Sequence, residues 1–507
     1  MQHGRAQRIG LLSTPPFGGK LIKTHPAASS CYSGNPLDSP LTCDYVTEHW
    51  GFSSFHSDLT ESVGYPVWAN NSCIPPDATG YSMKWAAERN IRIVVKGTGH
   101  ELNGRSSGAY SLSIWTHALT DILHDPAWPI PGSSNGSTAD VIIAGSGNNW
   151  GMVIRYALTK NRVCVSGVDQ TVGLGGFIQG GGHGPLSSTC GLSADQILQA
   201  TVVTTTGEVL VANALQNQDL YWAIRGGGGG QYGVVTEYVM MSYPAPENFA
   251  SSSLTMTGLS GNQTNSSTAV DGARSWDAFV ELLARFPDLM DAGIVGTGMD
   301  ASGDSSYLTV PTGGVAASMS FWSFNSSTED LDATLQSLRE ALVASSGNSS
   351  AFSVAVTEAT VVPTFSELFE AMNSGESASG ESGLQSSRLL GRTELTDTAP
   401  SEIRSYLQRL AQPQVAKSSL FIIGLQGGPG PRQVPVERRG AVNPTWRDAY
   451  VHLISSGADV DLETNTPGRA LRKAADWAEV NQEQVYREWA PEKGSYMNEA
   501  NPYTTEW

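Results

Sequence analysis

The sequence predicts an α+β protein built from two domains. A chain of 507 residues exceeds the size at which one hydrophobic core normally stops growing. Between residues 77 and 245, short apolar strands alternate with segments of helical periodicity, which indicates mixed helix and sheet. A stretch rich in Ser, Thr, Gly and Asn at residues 250–275 then precedes two amphipathic helices. We therefore expect a second domain to start near residue 246.

The individual elements follow from local patterns. Residues 1–75 are rich in Pro, Ser and aromatic residues without periodicity and are predicted to be irregular. Helical spacing is found in "GYSMKWAAERN", "NWGMVIRYALTKN", "SWDAFVELLARFPDLM" and "STEDLDATLQSLREALVAS". Strands are predicted for "IRIVVKG", "ADVIIAGSG" and "YGVVTEYVMMSYP". The segment "QATVVTTTGEVLVAN" is typical of a hairpin that turns at Thr206 and Gly207.

Composition and charge restrict the class of partner. The chain is 40% hydrophobic and 15% charged, which is typical of a globular protein. No apolar run approaches the roughly 18 residues that span a bilayer, so we expect a soluble protein. The formal net charge of −18 disfavours nucleic acid and anionic membrane surfaces, because clustered Lys and Arg bind phosphate backbones. A small molecule is the expected partner.

Signals for the cellular compartment point in two directions. Asn-x-Ser/Thr sequons favour a secreted glycoprotein, although a Ser-rich chain also produces such triplets by chance. They begin at Asn70, Asn135, Asn262, Asn265, Asn325 and Asn348. The N-terminal segment contains no apolar core such as signal peptides carry. A secreted protein whose leader is absent from this chain and an intracellular protein both remain open.

The cysteines allow a disulfide but do not suggest a metal centre. No pair has the C-x-x-C spacing of zinc or redox sites, and no metal site is predicted. A disulfide between Cys31 and Cys43 is expected if the chain is secreted, and the total of 5 cysteines leaves at least one outside a disulfide. Cys164 and Cys190 are predicted to be ordinary buried apolar residues.

Three glycine-dense stretches stand apart in the first domain. They are "KGTGHELNGRSSG", "VDQTVGLGGFIQGGGHGPLSS" and "RGGGGGQYGVV". Glycine lets a backbone approach a ligand closely and lets successive N–H groups face an anion, so together the loops indicate one large ligand that carries phosphate. Each loop taken alone is more often a flexible turn. The Rossmann pattern G-x-G-x-x-G also requires a helix directly afterwards, whereas a loop follows here.

In this order, these stretches resemble a known group of flavoproteins. "VVKGTGHELNGRSSGAYSLSIWTHAL", "TVGLGGFIQGGGHGPLSSTCGLSADQI", "DLYWAIRGGGGGQYGVV" and "GSYMNEANPY" are similar to motifs of the fungal berberine bridge enzyme-like proteins of the vanillyl-alcohol oxidase superfamily. The resemblance implies a monomer with an irregular N-terminal arm (1–39) and a PCMH-type FAD-binding domain of two α+β subdomains (40–245). It further implies an antiparallel-sheet substrate domain flanked by helices (246–455) and a C-terminal segment that returns to the FAD domain (456–507).

The resemblance also implies FAD and the residues that contact it. His100 matches the histidine that the family bonds covalently to the flavin. Many relatives add a second bond from a cysteine, but the matching residue is Asp169, so one bond through His100 alone is expected. Arg105 falls where the family contacts the pyrophosphate and is expected to be available for charge-assisted pairing. The implied cofactor residues are Lys96, Gly97, Thr98, Gly99, His100, Glu101, Gly104, Arg105, Ser106, Asp169, Thr171, Val172, Gly173, Gly176, Gly180, Gly181, Gly182, His183, Val234, Val235 and Asn498.

The catalytic base implied by the resemblance lies near the C-terminus. Plant relatives often carry a tyrosine in Tyr-x-Asn-Tyr, where this chain has "YMNE", which makes Glu499 and Tyr496 the candidates. A carboxylate pressed against a flavin and an apolar substrate is expected to have a raised pKa and to accept a hydroxyl proton. The alternative is that Glu499 is a structural hydrogen-bond acceptor in a turn, and His183 and Asp169 are rival bases.

The expected function is an FAD-dependent oxidoreductase acting on a small molecule. It would remove a hydride from a C–H bond next to a hydroxyl or amine of a sugar, an alcohol or a secondary metabolite, with dioxygen as the acceptor that reoxidises the flavin. The alternative, from another class, is a redox-neutral cyclase or a metabolite-binding protein on the same fold.

Overall fold

The computed structural model describes residues 24–32, 39–64, 90–108, 111–133, 135–259, 272–374, 383–461 and 464–504. The β-strands are β1 (Arg92–Lys96), β2 (Ser111–Trp115), β3 (Ile122–Pro129), β4 (Thr138–Gly145), β5 (Arg162–Val163), β6 (Ile197–Val203), β7 (Val209–Asn213), β8 (Val234–Met241), β9 (Tyr243–Pro244), β10 (Glu247–Gly258), β11 (Ile294–Gly303), β12 (Val315–Ser323), β13 (Phe352–Val356), β14 (Thr360–Thr364), β15 (Gly383–Gly391), β16 (Ser418–Leu425) and β17 (Ala449–Asp459). The α-helices are α1 (Cys43–His49), α2 (Ser53–Asp58), α3 (Trp150–Leu158), α4 (Leu174–Gly180), α5 (Ser187–Cys190), α6 (Gln218–Ala223), α7 (Ser275–Asp291), α8 (Thr328–Ser345), α9 (Phe365–Met372), α10 (Pro400–Leu410), α11 (Pro429–Gln433), α12 (Pro467–Ala478) and α13 (Gln484–Trp489).

The chain divides into two compact units. The first comprises the described residues up to Gly182, Ser193–Pro244 and residues 372–374. The second comprises His183–Leu192, Ala245–Ala371 and the described residues from 383 onward. The C-terminal segment after residue 456 is thus grouped with the second unit, and its expected return to the FAD domain stays a prediction.

The first unit combines a small parallel pair of strands with a larger antiparallel sheet. Strands β1 and β2 pair in parallel, with Lys96 beside Trp115 at their ends. Strands β3, β4, β8, β6 and β7 form the larger sheet in that order. The predicted hairpin is confirmed as β6 and β7, and Gly207 takes the positive φ of 84° that its turn requires. The α+β prediction is therefore confirmed.

The N-terminal region is more regular than expected. The described part contains α1 and α2, and Val46 and Phe55 from these helices form a small core with Ala27. Aromatic residues without a helical repeat hid these short helices, because a helix of one or two turns shows no periodicity. The expected disulfide between Cys31 and Cys43 is present. The predicted helix at residues 80–90 lies outside the described residues except for Asn90.

The second unit is built on one antiparallel sheet. Its order is β13-β10-β12-β11-β16-β17-β15, and β14 also pairs with β10. Residues 250–258, expected to belong to a boundary loop, are part of β10. Ser and Thr obscured this strand, but Leu254 and Met256 alternate with more exposed residues and point into the core. The sheet places β17, which carries His452, between β15 and β16.

The two predicted long helices are confirmed as α7 and α8. Helix α8 begins at the N-cap Ser327, whose hydroxyl accepts a hydrogen bond of 3.1 Å from the backbone N–H of Asp330. Its buried stripe repeats every three or four residues and consists of Leu331, Leu335, Leu338 and Leu342. These leucines pack in the same core as the buried face of α7, so both helices stabilise the sheet that carries β17. Within the described residues, no helix is both long and apolar enough to cross a membrane.

Candidate functional site

The first glycine-rich loop leaves β1 through a left-handed backbone at Gly99. Its φ is +84°, and an added Cβ would lie 3.0 Å from Lys96 Cε and 3.2 Å from Val63 Cα. Glycine is therefore required here, because any side chain would be strained and would crowd these atoms. Among the other predicted loop residues, Thr98 is buried, while Gly97, Gly104 and Ser106 are half-buried.

Lys96 ends β1 inside the protein. Its side chain is 1% exposed, and the ammonium donates to the backbone carbonyl oxygens of His56, at 3.3 Å, and Leu59. The ammonium also lies 5.3 Å from the centre of the Trp115 ring. A buried charge needs such partners, so Lys96 ties the glycine-rich loop to the segment after α2.

Arg105 and Glu101 form a closed pair within the same loop. Glu101 Oε1 accepts from Arg105 Nε at 2.9 Å and from Nη2 at 2.6 Å, and Glu101 Oε2 accepts from the backbone N–H of Arg105 at 2.6 Å. In this geometry the guanidinium is paired with Glu101, and its expected contact with the pyrophosphate stays a prediction. A carboxylate four residues away already neutralises the charge, which spacing in the sequence did not reveal.

His100 contacts the second glycine-rich loop. Its Nε2 lies 2.6 Å from Thr171 Oγ1, and Asp169 Oδ1 accepts from that hydroxyl and from the Thr171 backbone N–H, both at 2.8 Å. Ser53 Oγ lies 3.0 Å from the same hydroxyl. Burial lowers the pKa of His100, opposed by the charge of Asp169, so the imidazole is held neutral. Asp169 is therefore engaged with Thr171, which weakens its case as the catalytic base.

The three glycine-rich loops meet within the first unit. An added Cβ on Gly173 would lie 3.0 Å from Thr98 Oγ1, which shows how closely the second loop approaches the first. The backbone N–H of Gly228, in the third loop, donates to the carbonyl of Gln179 at 2.8 Å. An added Cβ on Gly176 would meet nothing within 4 Å, so this glycine borders open space. Of the other predicted residues here, Val172 is half-buried and the buried ones are Gly180, Gly181, Gly182, Val234 and Val235.

A separate cluster lies in the second unit and is centred on Glu499. Glu499 Oε2 is 3.2 Å from His183 Nε2, with which it forms a hydrogen bond, and 3.3 Å from His452 Nδ1. His183 follows the second glycine-rich loop, His452 is central in β17, and Glu499 belongs to a C-terminal turn in which its N–H donates to the Tyr496 carbonyl at 2.9 Å. Trp446 closes the group, with its ring centre 5.5 Å from that of His183.

The pKa of Glu499 moves in the direction opposite to the expected one. Burial raises it, but the hydrogen bond from His183 and the electrostatic interactions with His183 and His452 together outweigh burial and lower it. Burial also lowers the pKa of His452 to about 3, so this imidazole is neutral at ordinary pH. The expectation of a raised pKa was wrong, because the two histidines that face the carboxylate could not be placed from the sequence. At neutral pH the cluster therefore presents an ionised carboxylate.

Tyr496 and Asn498 complete the cluster. Asn498 Nδ2 donates to the Tyr496 phenolic oxygen at 2.6 Å, and the Tyr496 ring stands nearly perpendicular to that of His183 at 4.7 Å. The phenolic oxygen of Tyr496 thus accepts from the amide, which fixes its position beside His183. The side chain of Glu499 remains 29% exposed, whereas that of His452 is 1% exposed. Glu499 is accordingly the accessible polar end of the cluster.

The same cluster could be considered as a metal site. His183, His452 and Glu499 offer ligand atoms that all lie within 4.8 Å of one another. Histidine ligands almost always donate their second ring N–H to an acceptor, which orients the ring toward the metal. In the part of the chain that the structure describes, His183 Nδ1 and His452 Nε2 are buried and have no hydrogen-bond partner. The arrangement therefore fits an acid–base site better than a metal centre.

Comparison with known proteins agrees with this geometry. The FAD binding domain family matches residues 79–213. The FAD-linked oxidoreductase apf9 of Gibberella fujikuroi is 28% identical over 97% of this chain and 85% of that relative. The FAD-linked oxidoreductase patO of Aspergillus clavatus is 36% identical, over 45% of this chain and 43% of that relative.

Solved structures with low sequence identity share this fold over most of the chain. The VAO-type flavoprotein MtVAO713 of Myceliophthora thermophila C1 superposes with a TM-score of 0.82 at 24% identity, covering 99% of this chain and 89% of that one. The chain therefore carries an FAD binding domain, has the VAO-type fold and resembles an FAD-linked oxidoreductase along nearly its whole length. Glucooligosaccharide oxidase of Acremonium strictum, described with a 6-S-cysteinyl, 8α-N1-histidyl FAD, has a TM-score of 0.66 at 17% identity over 88% of this chain and 87% of that one. Berberine bridge enzyme of Eschscholzia californica has a TM-score of 0.63 at 17% identity over 88% of this chain and 82% of that one.

The first unit of this FAD-linked oxidoreductase fits such a cofactor on its own geometry. Two glycines of the glycine-rich loops border open space, since an added Cβ on Gly176 or on Gly230 would meet no described atom within 4 Å. Side chains are absent where a planar ring system or a phosphate could approach the backbone closely. His100 stands beside these loops as a neutral imidazole, which is the form able to bond to carbon.

Sequence reasoning missed several residues of both clusters. His452 carried one signal, a single histidine inside the apolar strand "YVHLIS", because a polar residue in a buried strand needs a partner. Trp446 and Ser53 gave none. Asn373 was also missed, because it lies about 200 positions away along the chain. Its side chain accepts from the N–H of Gln170 at 2.9 Å and donates to the carbonyl of Val168 at 3.0 Å, on either side of Asp169.

Proposed function

We propose that this FAD-linked oxidoreductase removes a hydride from a carbon that bears a hydroxyl or amine on a small molecule. Sugars, alcohols and secondary metabolites are the substrate classes, with dioxygen as the acceptor. The observation that supports this best is the ionised Glu499 carboxylate held between two imidazoles beside a phenol. Removing a hydride from an alcohol leaves a proton to be accepted, and an ionised carboxylate supplies the acceptor.

Residues of the second unit accept the proton, position the carboxylate and pack around it. Glu499 accepts the hydroxyl proton, and its contacts with His183 and His452 fix the position of its Oε2 oxygen. Tyr496, whose ring packs against that of His183 and whose oxygen accepts from Asn498, is the second candidate catalytic residue beside the carboxylate. The packing of Trp446 against His183 excludes water from the back of the cluster. FAD, when bound, supplies the two-electron acceptor.

We further propose that FAD is joined to the protein by one bond, through His100. His100 is neutral and lies beside the loops that fit the cofactor, and Asp169 cannot form the thioether that a cysteine would provide. Acid precipitation tests this directly. Flavin should stay with the wild-type pellet and move to the supernatant in His100→Ala, whereas flavin released from the wild type would overturn the single bond.

The decisive test of the function is a visible spectrum followed by a substrate screen. Purified protein should show flavin absorbance, and a panel of sugars and aromatic or allylic alcohols should bleach it without oxygen and release peroxide with oxygen. Bleaching without peroxide would leave a dehydrogenase and remove dioxygen as the acceptor. A folded but colourless protein would remove the oxidoreductase proposal in favour of a redox-neutral cyclase or a metabolite-binding protein.

The proposal of a secreted, monomeric glycoprotein rests on surface features. The three described sequons begin at Asn135, Asn325 and Asn348, and all three asparagines are exposed. Glycosylation requires such exposure, and the Cys31–Cys43 disulfide suits an oxidising compartment. A mass decrease after endoglycosidase treatment of protein from a eukaryotic host would support this, and an unchanged mass would count against it. Gel filtration of the same sample should give a monomer.

A further inference from the structure

We propose that Asp169 and Thr171 act as a relay that holds His100 as its Nε2–H tautomer and leaves Nδ1 as the nitrogen that bonds FAD. The proposal rests on the single histidyl bond of the proposed function and assigns positioning roles to two residues of the same loop. It also assigns a role to Asp169, which stands where many relatives carry a second flavin-bonding cysteine.

The single hydrogen of the Thr171 hydroxyl determines the relay. Thr171 Oγ1 has three polar neighbours, Asp169 Oδ1 at 2.8 Å, Ser53 Oγ at 3.0 Å and His100 Nε2 at 2.6 Å. An ionised carboxylate can only accept. If the hydrogen pointed to Ser53 or His100, oxygen lone pairs of Thr171 and Asp169 would face each other at hydrogen-bond distance. The hydrogen therefore points to Asp169.

The Thr171 hydroxyl can also donate to Ser53, but its single hydrogen goes to the charged Asp169 oxygen, which is the stronger acceptor. Thr171 can then meet His100 Nε2 only as an acceptor, so His100 donates and its Nε2 carries a hydrogen. Because burial keeps the ring neutral, only one ring nitrogen is protonated, and Nδ1 retains its lone pair. The tautomer is thus assigned from the hydrogen-bond pattern around Thr171.

The loop holds this relay in a fixed geometry. Asp169 Oδ1 also accepts the backbone N–H of Thr171 at 2.8 Å, which closes a turn typical of aspartate. The side chain of Asn373 bonds to the backbone on both sides of Asp169, at Val168 and at Gln170. Asp169 therefore has little freedom to release the hydroxyl.

The relay matches the chemistry of bond formation. With FAD bound, His100 Nδ1 would form a bond to the methyl carbon of the flavin ring, and that carbon would lose one hydrogen as a proton. The imidazole would gain positive charge and release its Nε2 proton toward Thr171 and Asp169, and the negative charge of Asp169 would stabilise the ring meanwhile. The two electrons would pass through the flavin to dioxygen, which would leave with the two protons as hydrogen peroxide.

The test is a matched pair of substitutions at position 171. Thr171→Val keeps the shape but removes the hydroxyl, whereas Thr171→Ser keeps the hydroxyl. Apoprotein of each is mixed with FAD under air, and covalent flavin is followed over time by acid precipitation and by the mass of the peptide that contains His100. Total bound FAD, measured before precipitation, normalises each value for any loss of binding.

We expect Thr171→Val to form the covalent bond at least about tenfold more slowly than the wild type and Thr171→Ser to restore the rate, since one charge-assisted hydrogen bond fixes the tautomer. Asp169→Asn, which still accepts the hydroxyl but lacks the charge, should also be slower. Equal rates for Thr171→Val and the wild type would overturn the relay. A wild type that binds FAD without any covalent flavin would instead overturn the single bond itself, and the relay with it.

Discussion

Replacing Asp300 with Asn should stabilise the second unit, and more so as the pH rises. Asp300 lies in β11 between Ala317 of β12 and Phe421 of β16, and its side chain is 0% exposed. Within the described residues, neither carboxyl oxygen has a hydrogen-bond partner. Burial raises the pKa of this carboxyl well above its usual value. The folded chain therefore takes up a proton that the unfolded chain releases.

The size of the effect follows from proton linkage. An unfolded Asp has a pKa of about 3.9, and the free energy of unfolding changes by about 1.4 kcal/mol per pH unit where only the folded state is protonated. Because the folded pKa is raised, the stability from this group is fully present below about pH 3.9 and is lost as the pH rises toward the folded pKa. Between about pH 4 and 7 the loss has an upper bound of about 4 kcal/mol. Asp300→Asn does not titrate and avoids this loss.

Hydrogen exchange in urea, followed by mass spectrometry on peptides of β11 and β12, measures the unfolding of this sheet separately from the first unit. The free energy of Asp300→Asn relative to the wild type should rise by up to about 1.4 kcal/mol for each unit between about pH 4 and 7. Asp304→Asn is the matched control, because Asp304 is exposed just beyond β11. A difference that does not vary with pH, or that falls as pH rises, would show that Asp300 is ionised in the folded chain and would refute this reasoning.

Four further predictions concern the glycine-rich loops and the cluster around Glu499. Glu499→Gln keeps the shape of the side chain but cannot accept a proton, so anaerobic flavin reduction by the best substrate should slow roughly 10²–10⁴-fold. A rate that falls by less than about tenfold would show that another residue is the base. The pKa of the Glu499 carboxyl is lowered, so the midpoint of the fall in kcat/KM at acidic pH should lie below the ordinary Glu pKa of about 4.3. A midpoint near neutral pH that persists in Glu499→Gln would show that a histidine is the titrating group. Arg105→Ala should lower the ratio of flavin to protein after gel filtration, because Glu101 would remain as an uncompensated negative charge in the loop. An unchanged ratio would count against a role of Arg105 in holding the pyrophosphate. Gly182→Ala should lower the free energy of unfolding by about 2–4 kcal/mol, since the φ of Gly182 is +72° and an added Cβ would lie 2.4 Å from a ring atom of Phe177. Gly176→Ala is the control, because an added Cβ there would meet nothing within 4 Å of the described atoms. Equal urea midpoints for the two variants would contradict the steric argument.

Much of the fold was predictable from short-range patterns. The leucines of α8 repeat with the period of a helix, and the alternation in β6 and β7 with the glycine turn between them specifies a hairpin. The glycine-rich loops were recognisable because their conformations, such as that of Gly99, exclude other residues. The short helices α1 and α2 and the Ser-rich strand β10 were missed, since one or two turns carry no period and a strand of small polar residues shows only a weak alternation.

The sequence by itself determined the α+β class, the glycine-rich loops and the presence of His100, Asp169 and Glu499, because each depends on local periodicity or on a motif. Only the tertiary structure decided what these side chains do. The pKa of Glu499 is lowered by His183, which is 316 positions away, and by His452 in a separate strand. Thr171 meets Ser53 across 118 positions and His100 across 71 positions, and it is the contacts of Thr171 with Asp169 and His100 from which the protonated nitrogen of His100 is inferred. Protonation depends on burial and on charges within a few ångströms, and those neighbours are set by the packing of distant segments.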